Sequence, residues 1–490
     1  MFKRYFSLGV FMAGALLSCT TLQAQDTENL NYRKWRVTLF PPLSSNGTNA
    51  VDYTARYSIN LLVGYHGGLD GAEFGGLVNY NKYYANGFQL AGLVNGTGGD
   101  MAGVNIAGLS NFSSGDMSGI QVSGLANISG DNLEGINASG LLNYAEGNSS
   151  GLQFAGIGNL AKGDIEGLQG GGILNASWGD ISGLQVAGVA NIARNSVEGL
   201  QVSGGINLAG DDLSGLQVSS GANLAWGNIE GLMITGGVNV ARGDASGLLI
   251  SGGLNIANEL NGASISGGAN IAKELTGLQF AGLLNASEKA TGLQIGLINV
   301  AKEFNGVPIG LISYYGNGRK NIDVRFSDGG FTDLGITLGT HRVYNSAILG
   351  YNTLLDRNVY RIGLAVGLEK NIQDSFRNWQ NETMYVNQEF AVTHQFEEKW
   401  SDRLNLIYSY KFLLGKRFGN GFSVYGGPSF NAQVTRVAGA KDYTWYSLWS
   451  PEWKGRDYRF WVGFTAGIRL FKQKAPQRFE DEFNNWDIEW

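Results

Sequence analysis

The side chains that could do chemistry in this chain are few, and most of them stand in rows. Asp100, Asp116, Asp164, Asp180, Asp212 and Asp244 share one position of a repeat. A row of carboxylates at fixed spacing could hold calcium, which takes several oxygen ligands. Asn132, Asn148, Ser196 and Asn228 interrupt the row, and Gly-Asp and Gly-Asn are turn chemistry, so turn formation is the favoured reading. The histidines, His66, His341 and His394, are far apart in sequence, a poor arrangement for a metal centre or an acid–base pair. A second row, Gln153, Gln169, Gln185, Gln201 and Gln217, reads as outward and could offer a flat polar face to a glycan or a protein. As a structural ladder it would offer none, and the ladder is favoured. Trp178 and Trp226 occupy turn positions and could stack on sugar. No carboxylate cluster of the kind a polysaccharide-cleaving β-helix needs is visible. The Gly spacings come from the repeat and do not make a phosphate loop. A net charge of −6 without a basic stripe disfavours nucleic acid. The expectation is a non-enzymatic chain without catalytic residues, metal or cofactor.

What must position these rows is a repeat with glycines at Gly71, Gly87, Gly103, Gly119, Gly135, Gly151, Gly167, Gly183, Gly199, Gly215, Gly231 and Gly247, a strict period of 16. The period tightens to 15 at Gly262, Gly277 and Gly292, and to 14 at Gly306. A fixed short period dictates the fold. The ninth position is Asn79, Asn95, Asn111, Asn127, Asn143, Asn159, Asn175, Asn191, Asn207, Asn223, Asn239, Asn255, Asn270, Asn285 and Asn299; the last unit has Ser313. One copy reads as two short strands, Leu200 to Ser203 and Ile206 to Ala209, with a glycine corner between and a polar turn after.

Two folds can use this unit. In a parallel β-solenoid each unit is a coil, and the ninth positions stack into an asparagine ladder, amide on amide. In one large antiparallel transmembrane barrel each repeat is a strand, with Leu200, Val202, Ile206 and Leu208 facing lipid and Gln201, Ser203 and Asn207 facing a lumen. The solenoid is preferred. A near-invariant Asn has a reason only in a stack, and the unit at Gly292 lacks one residue between positions 4 and 6. Such a loss flips the faces of a continuous strand but is harmless at a corner. Positions 2, 4, 8, 10 and 15 are mostly apolar, and stacking is expected to bury about four or five side chains per coil at roughly 1.5–3 kcal/mol each. Ordering a residue costs about 1.5 kcal/mol, so a lone coil does not fold and the stack does.

Around the repeat the chain divides further. Residues 1–24 read as a signal peptide: Lys3 and Arg4, then an apolar stretch from Leu8 to Leu17 too short to span. Cleavage after Ala24 is the first choice, lipidation of Cys19, the only cysteine, the alternative. Residues 25–70 are N-terminal strands forming a cap, 71–318 the solenoid of about sixteen coils, 319–471 an antiparallel outer-membrane-type barrel and 472–490 a polar tail. In the barrel region Leu404, Leu406, Tyr408, Tyr410 and Phe412 share a face, as do Phe460, Val462, Phe464, Ala466, Ile468 and Leu470. Tyr360 to Leu368, Val386 to Phe396 and Phe422 to Val434 alternate likewise. A soluble β-barrel or sandwich alternates in the same way, but the export signal and runs long enough to cross a bilayer at a tilt favour a membrane barrel, apolar out and polar in. About seven strands lie here, and N-terminal strands could bring the barrel to eight to ten.

The units GLQIGLIN and GLQFAGLLN, with Leu39 to Gly47 (LFPPLSSNG) and the GVPIG stretch at Gly306, resemble the surface repeat-containing proteins of Gram-negative bacteria. The resemblance covers residues from about 35 to 435. It implies an outer-membrane or cell-surface location and no established activity, and it carries over no catalytic residue. The role expected is structural, adhesive or binding, with the outer membrane and a glycan or protein on the repeat face as partners. A porin-like transport barrel is the alternative.

Overall fold

The computed structural model describes residues 30–374, 379–401, 403–419, 421–437 and 443–471. The expected signal segment with Cys19 and the polar tail from Lys472 lie outside the described residues. The chain is nearly all β: a parallel solenoid of about sixteen turns and a closed antiparallel barrel of eight strands. It divides into two compact halves, up to Gly236 and from Gly237.

In the N-terminal half a coil consists of a longer strand, such as Val197–Ser203, a glycine corner, a shorter strand, Ile206–Ala209, and a polar turn. Each strand pairs in parallel with its counterpart one repeat away: Gln201 with Gln185 and Gln217, Asn207 with Asn191 and Asn223. Every repeat neighbour is parallel, which excludes the one-strand-per-repeat barrel. The coil-opening glycine is required by backbone geometry. Gly199 has a φ of 126°, and a Cβ there would lie 2.2 Å from the Gly183 carbonyl oxygen. Such a φ is open mainly to glycine.

The distribution of side chains reverses one expectation. Positions 3, 5, 9, 11 and 15 point inward: Gln201, Ser203, Asn207, Ala209 and Leu213 are all buried. Positions 2, 4, 8 and 10, expected to fill the core, point outward, and Val189, a corner residue, is 53 % exposed. Each coil therefore buries about one large aliphatic side chain, at position 15, beside alanine, serine and amides. The two sheets leave room for small or flat groups, and amides stacked in register, as from Gln153 to Gln217 and along the asparagine row, satisfy one another, so burying them is not penalised as isolated polar groups would be.

The N-terminal segment is a continuation of the same architecture. Asn31–Phe40 pairs in parallel with Tyr53–Asn60, which pairs in parallel with Val63–Gly75. These strands belong to the coil stack and do not complete the barrel, contrary to the expectation that they could. The edge strand is partly covered by Leu43–Ser44, folded back antiparallel.

In the C-terminal half the coils shorten to 15 and 14 residues, and their tighter turns merge the strands into runs such as Leu254–Ser266 and Ala269–Ala281. The shortened unit at Gly292 keeps register on both sides of its corner, Leu293 with Val307 and Asn285 with Asn299. The barrel follows as Arg319–Ser327, Phe331–Gly339, Val343–Asn352, Val359–Asp374, Trp379–Glu397, Asn405–Phe418, Phe422–Thr435 and Arg456–Leu470. Neighbours pair antiparallel, and the last strand returns to the first, Val324 with Ile468. All eight strands come from this region. The last coil strand, Ile312–Tyr315, packs against Phe331–Gly339, so the barrel covers the open end of the coils, an edge that would otherwise invite pairing.

Candidate functional site

The asparagine row is a continuous ladder within each half. Asn175 Nδ2 donates to Asn191 Oδ1 (3.0 Å) and Asn191 Nδ2 to Asn207 Oδ1 (3.0 Å), and the pattern runs from Asn60 to Asn223. The same nitrogen reaches the backbone of the next coil, Asn191 to the Val202 carbonyl at 2.8 Å. The side chain thus stitches the corner as well as the stack, which explains why Asn and no other residue recurs there. In the C-terminal half the ladder runs from Asn239 through Asn255, Asn270, Asn285 and Asn299 to Ser313 Oγ, which also accepts from Asn345 of the barrel at 2.7 Å.

The glutamine row is buried, not outward. Gln169, Gln185, Gln201 and Gln217 each donate Nε2 to the Oε1 of the preceding coil, at 2.8–3.1 Å. It is a second ladder, running opposite to the first. The turn acids form a third. Asp164 Oδ1 accepts the Asp180 backbone N–H (2.8 Å), Asp180 Oδ1 that of Ser196 (3.0 Å), and Asn148 Oδ1 that of Asp164 (2.8 Å). Asp and Asn serve equally because each offers one acceptor to the next coil, as the turn reading expects. Trp178 and Trp226 are exposed three coils apart and do not form one platform. Position 16, also exposed, alternates: Glu134, Ser150, Glu166, Ser182, Glu198, Ser214, Glu230. Coils spaced at about 4.8 Å would crowd like charges, and alternation holds them about 9.6 Å apart.

Two charged clusters went unread in the sequence. In the N-terminal coils Glu73 stands in the inward column that carries Gln or Asn in the next coils, and Arg36 of the first strand meets it at 2.9 Å. Glu73 also accepts from Ser58, Asn60, Asn81 and Gln89 at 2.7–2.9 Å. Burial opposes its ionisation, but Arg36, His66 and the amide donors outweigh it and hold its pKa at about 2. His66, within 3.0 Å of Asn60 Oδ1, is pushed down to about 3, by burial first and then by Arg36, against the pull of Glu73. The signal was available: a lone Glu in an amide column, with a lone Arg upstream.

The second cluster fills the barrel. Glu369 accepts from Arg319 (2.8 Å), Arg417 (2.5 Å) and Arg469 (2.6 Å). Asp323 accepts from Arg469 (2.6 Å), Arg325 (3.2 Å) and Thr337 (2.5 Å). Glu389 accepts from Arg325 (2.6 Å), Lys411 (2.9 Å) and Tyr344 (2.9 Å). Towards one end Arg361 pairs with Asp333, and Phe331, Val359, Ile407, Tyr443 and Trp461 pack together; a residual cavity there measures about 20 Å³. Outside, Leu334, Ile336, Leu364, Val366, Phe412 and Phe464 are exposed. The geometry neutralises buried charge with buried charge, and among the described residues it leaves no acid–base pair aimed at a cleft. Among the described residues no group of three or more His, Cys, Asp or Glu side chains converges to hold a metal ion. His66 lies among the N-terminal coils, whereas His394, in the barrel, meets Trp400 with ring centroids 5.1 Å apart. Compared with family models, curated proteins and solved structures, the chain finds no match.

Proposed function

We propose that this is a non-enzymatic repeat protein of the Gram-negative outer membrane, its barrel the anchor and its coils a structural or adhesive module at the cell surface. One observation carries the reading: the barrel is inverted relative to a water-soluble one. Alternate residues of each strand put aliphatic and aromatic side chains outside and arginine, lysine, aspartate and glutamate inside. Hydrocarbon around the barrel accounts for both faces, whereas water around it accounts for neither. The resemblance to surface repeat-containing proteins points to the same compartment. The packed lumen argues against conduction, because eight strands enclose just enough room for side chains.

Single-cysteine labelling of intact cells with a membrane-impermeant reagent tests the display. Asp164→Cys and Asp180→Cys occupy equivalent turns one coil apart. Both are expected to label. If neither labels until the outer membrane is opened, the coils lie on the periplasmic side and adhesion is refuted. Purified protein that stays soluble without detergent would refute the anchor.

A further inference from the structure

The anchor reading leaves the outside of the coils unexplained. Positions 2, 4, 6, 7, 8 and 10 of each coil form its outward corner and flanking strands. From Gly71 to Tyr315 no charged residue stands at any of them, and apart from Ser110 and Ser220 each is aliphatic, aromatic or glycine. The charges gather at positions 12–14 and 16, on the turn edge. Water-facing monomers rarely expose contiguous apolar patches beyond a few hundred Å²; here the stripe recurs in coil after coil, with Ile173 and Phe154 nearly half exposed in the N-terminal half and Leu283 59 % exposed in the C-terminal half.

Two further observations say what covers it. The corner N–H groups need no water: Gly188 N donates to Gly171 O (3.2 Å), and Val189 N and Ala190 N both donate to Ile173 O (3.0 Å). Backbone donors satisfied within the protein are one condition for contact with hydrocarbon. On the same face a furrow of about 480 Å³ runs along the position-4 column past Val122, Ala138, Phe154, Gly170 and Val186. Its length is about 19 Å from the strand spacing. Its lining is mainly apolar, with Ser123 and Ser139 the hydroxyl side chains beside it.

We propose that this face is a lipid-binding surface: the glycine corners and flanking strands lie against acyl chains, the furrow seats one tail, and the charged turn edge stays in water. The arrangement is that of an amphipathic element lying in the membrane plane, and its location rests on the membrane reading of the barrel.

The test uses the full chain in phospholipid bilayers with an environment-sensitive fluorophore on single cysteines. Val189→Cys and Leu283→Cys probe the outward face in separate coils, Asp180→Cys the turn edge and Leu364→Cys the barrel exterior. With lipids brominated on their acyl chains, the labels at 189, 283 and 364 are expected to lose most of their emission and the label at 180 to keep it. Quenching at 364 but not at 189 or 283 overturns the proposal and leaves the anchor standing. No quenching at 364 refutes the anchor reading itself. Energy transfer between labels at 189 on different molecules, without lipid quenching, makes a second copy the occupant and overturns the proposal.

Discussion

Replacing Asn191 by alanine should cost far more than replacing Val202, although hydropathy predicts the opposite. Asn191 Nδ2 serves Asn207 Oδ1 at 3.0 Å and the Val202 carbonyl at 2.8 Å, and its Oδ1 accepts from Asn175 at 3.0 Å. Asn191→Ala orphans two buried acceptors and one amide hydrogen. At roughly 1–3 kcal/mol per unsatisfied buried group, the loss is on the order of 5 kcal/mol. Val202 faces outward, so Val202→Ala removes methyl groups already outside the core and should cost less than about 1 kcal/mol. In a stack the damage stays local, because stability sums over neighbouring coils. Native-state amide hydrogen exchange on peptides covering residues 183–218 reads the difference without assuming one global transition. Equal effects, or a larger one at Val202, would refute the inverted arrangement of the coils.

Other outcomes follow from the same geometry. Gly199→Ala places a methyl group 2.2 Å from the Gly183 oxygen at a φ of 126°, and should destabilise by more than about 2 kcal/mol; Gly47→Ala, in open space at a φ of 61°, should cost about half that, by the same exchange measurement. The N-terminal coils should weaken in acid. His66 has a folded pKa near 3, below its unfolded value, so its contribution is present above pH 6.5 and falls away towards pH 3; that of Glu73, near 2, falls between 4.5 and 2. Limited proteolysis of residues 31–90 against pH should show the onset just below 6.5, and His66→Gln should shift it to lower pH; an unchanged onset would exclude His66. Arg469→Leu strips partners from Asp323 and Glu369 inside the barrel and should cost about 3–5 kcal/mol, seen as a lower urea midpoint for barrel unfolding. A midpoint equal to wild type would mean the network carries no stability.

Much of the architecture was legible from spacing. The period, the asparagine column, the corner at positions 6 and 7 and the alternation at Leu406–Phe412 all survive in the structure. What spacing cannot reveal is which face of an alternating strand is inside. Leu200, Val202, Ile206 and Leu208 share one side and Gln201 and Asn207 the other in either arrangement. Hydropathy assigns leucine and valine to the core because it values an amide singly, and an amide in an in-register stack is already bonded on both sides. The same inversion in the barrel was anticipated because its strand lengths and alternation already suggested a membrane. Arg36 and Glu73 escaped notice because the pair joins residues two coils apart, and no periodic signal marks a partner that occurs once.

The alternating glutamates at position 16 bear on how the coil number can change over generations. Excising Gly199–Ser214 would leave the amide contacts intact, since each coil meets only its neighbours, but would set Glu198 beside Glu230 at about 4.8 Å, a repulsion of roughly 1 kcal/mol in water. Excising Gly183–Ser214 restores the order of serine and glutamate. Loss or gain of a pair of coils, 32 residues, is therefore less costly at this position than that of a single coil, and a length series of relatives is expected to step by two coils wherever position 16 carries the alternation.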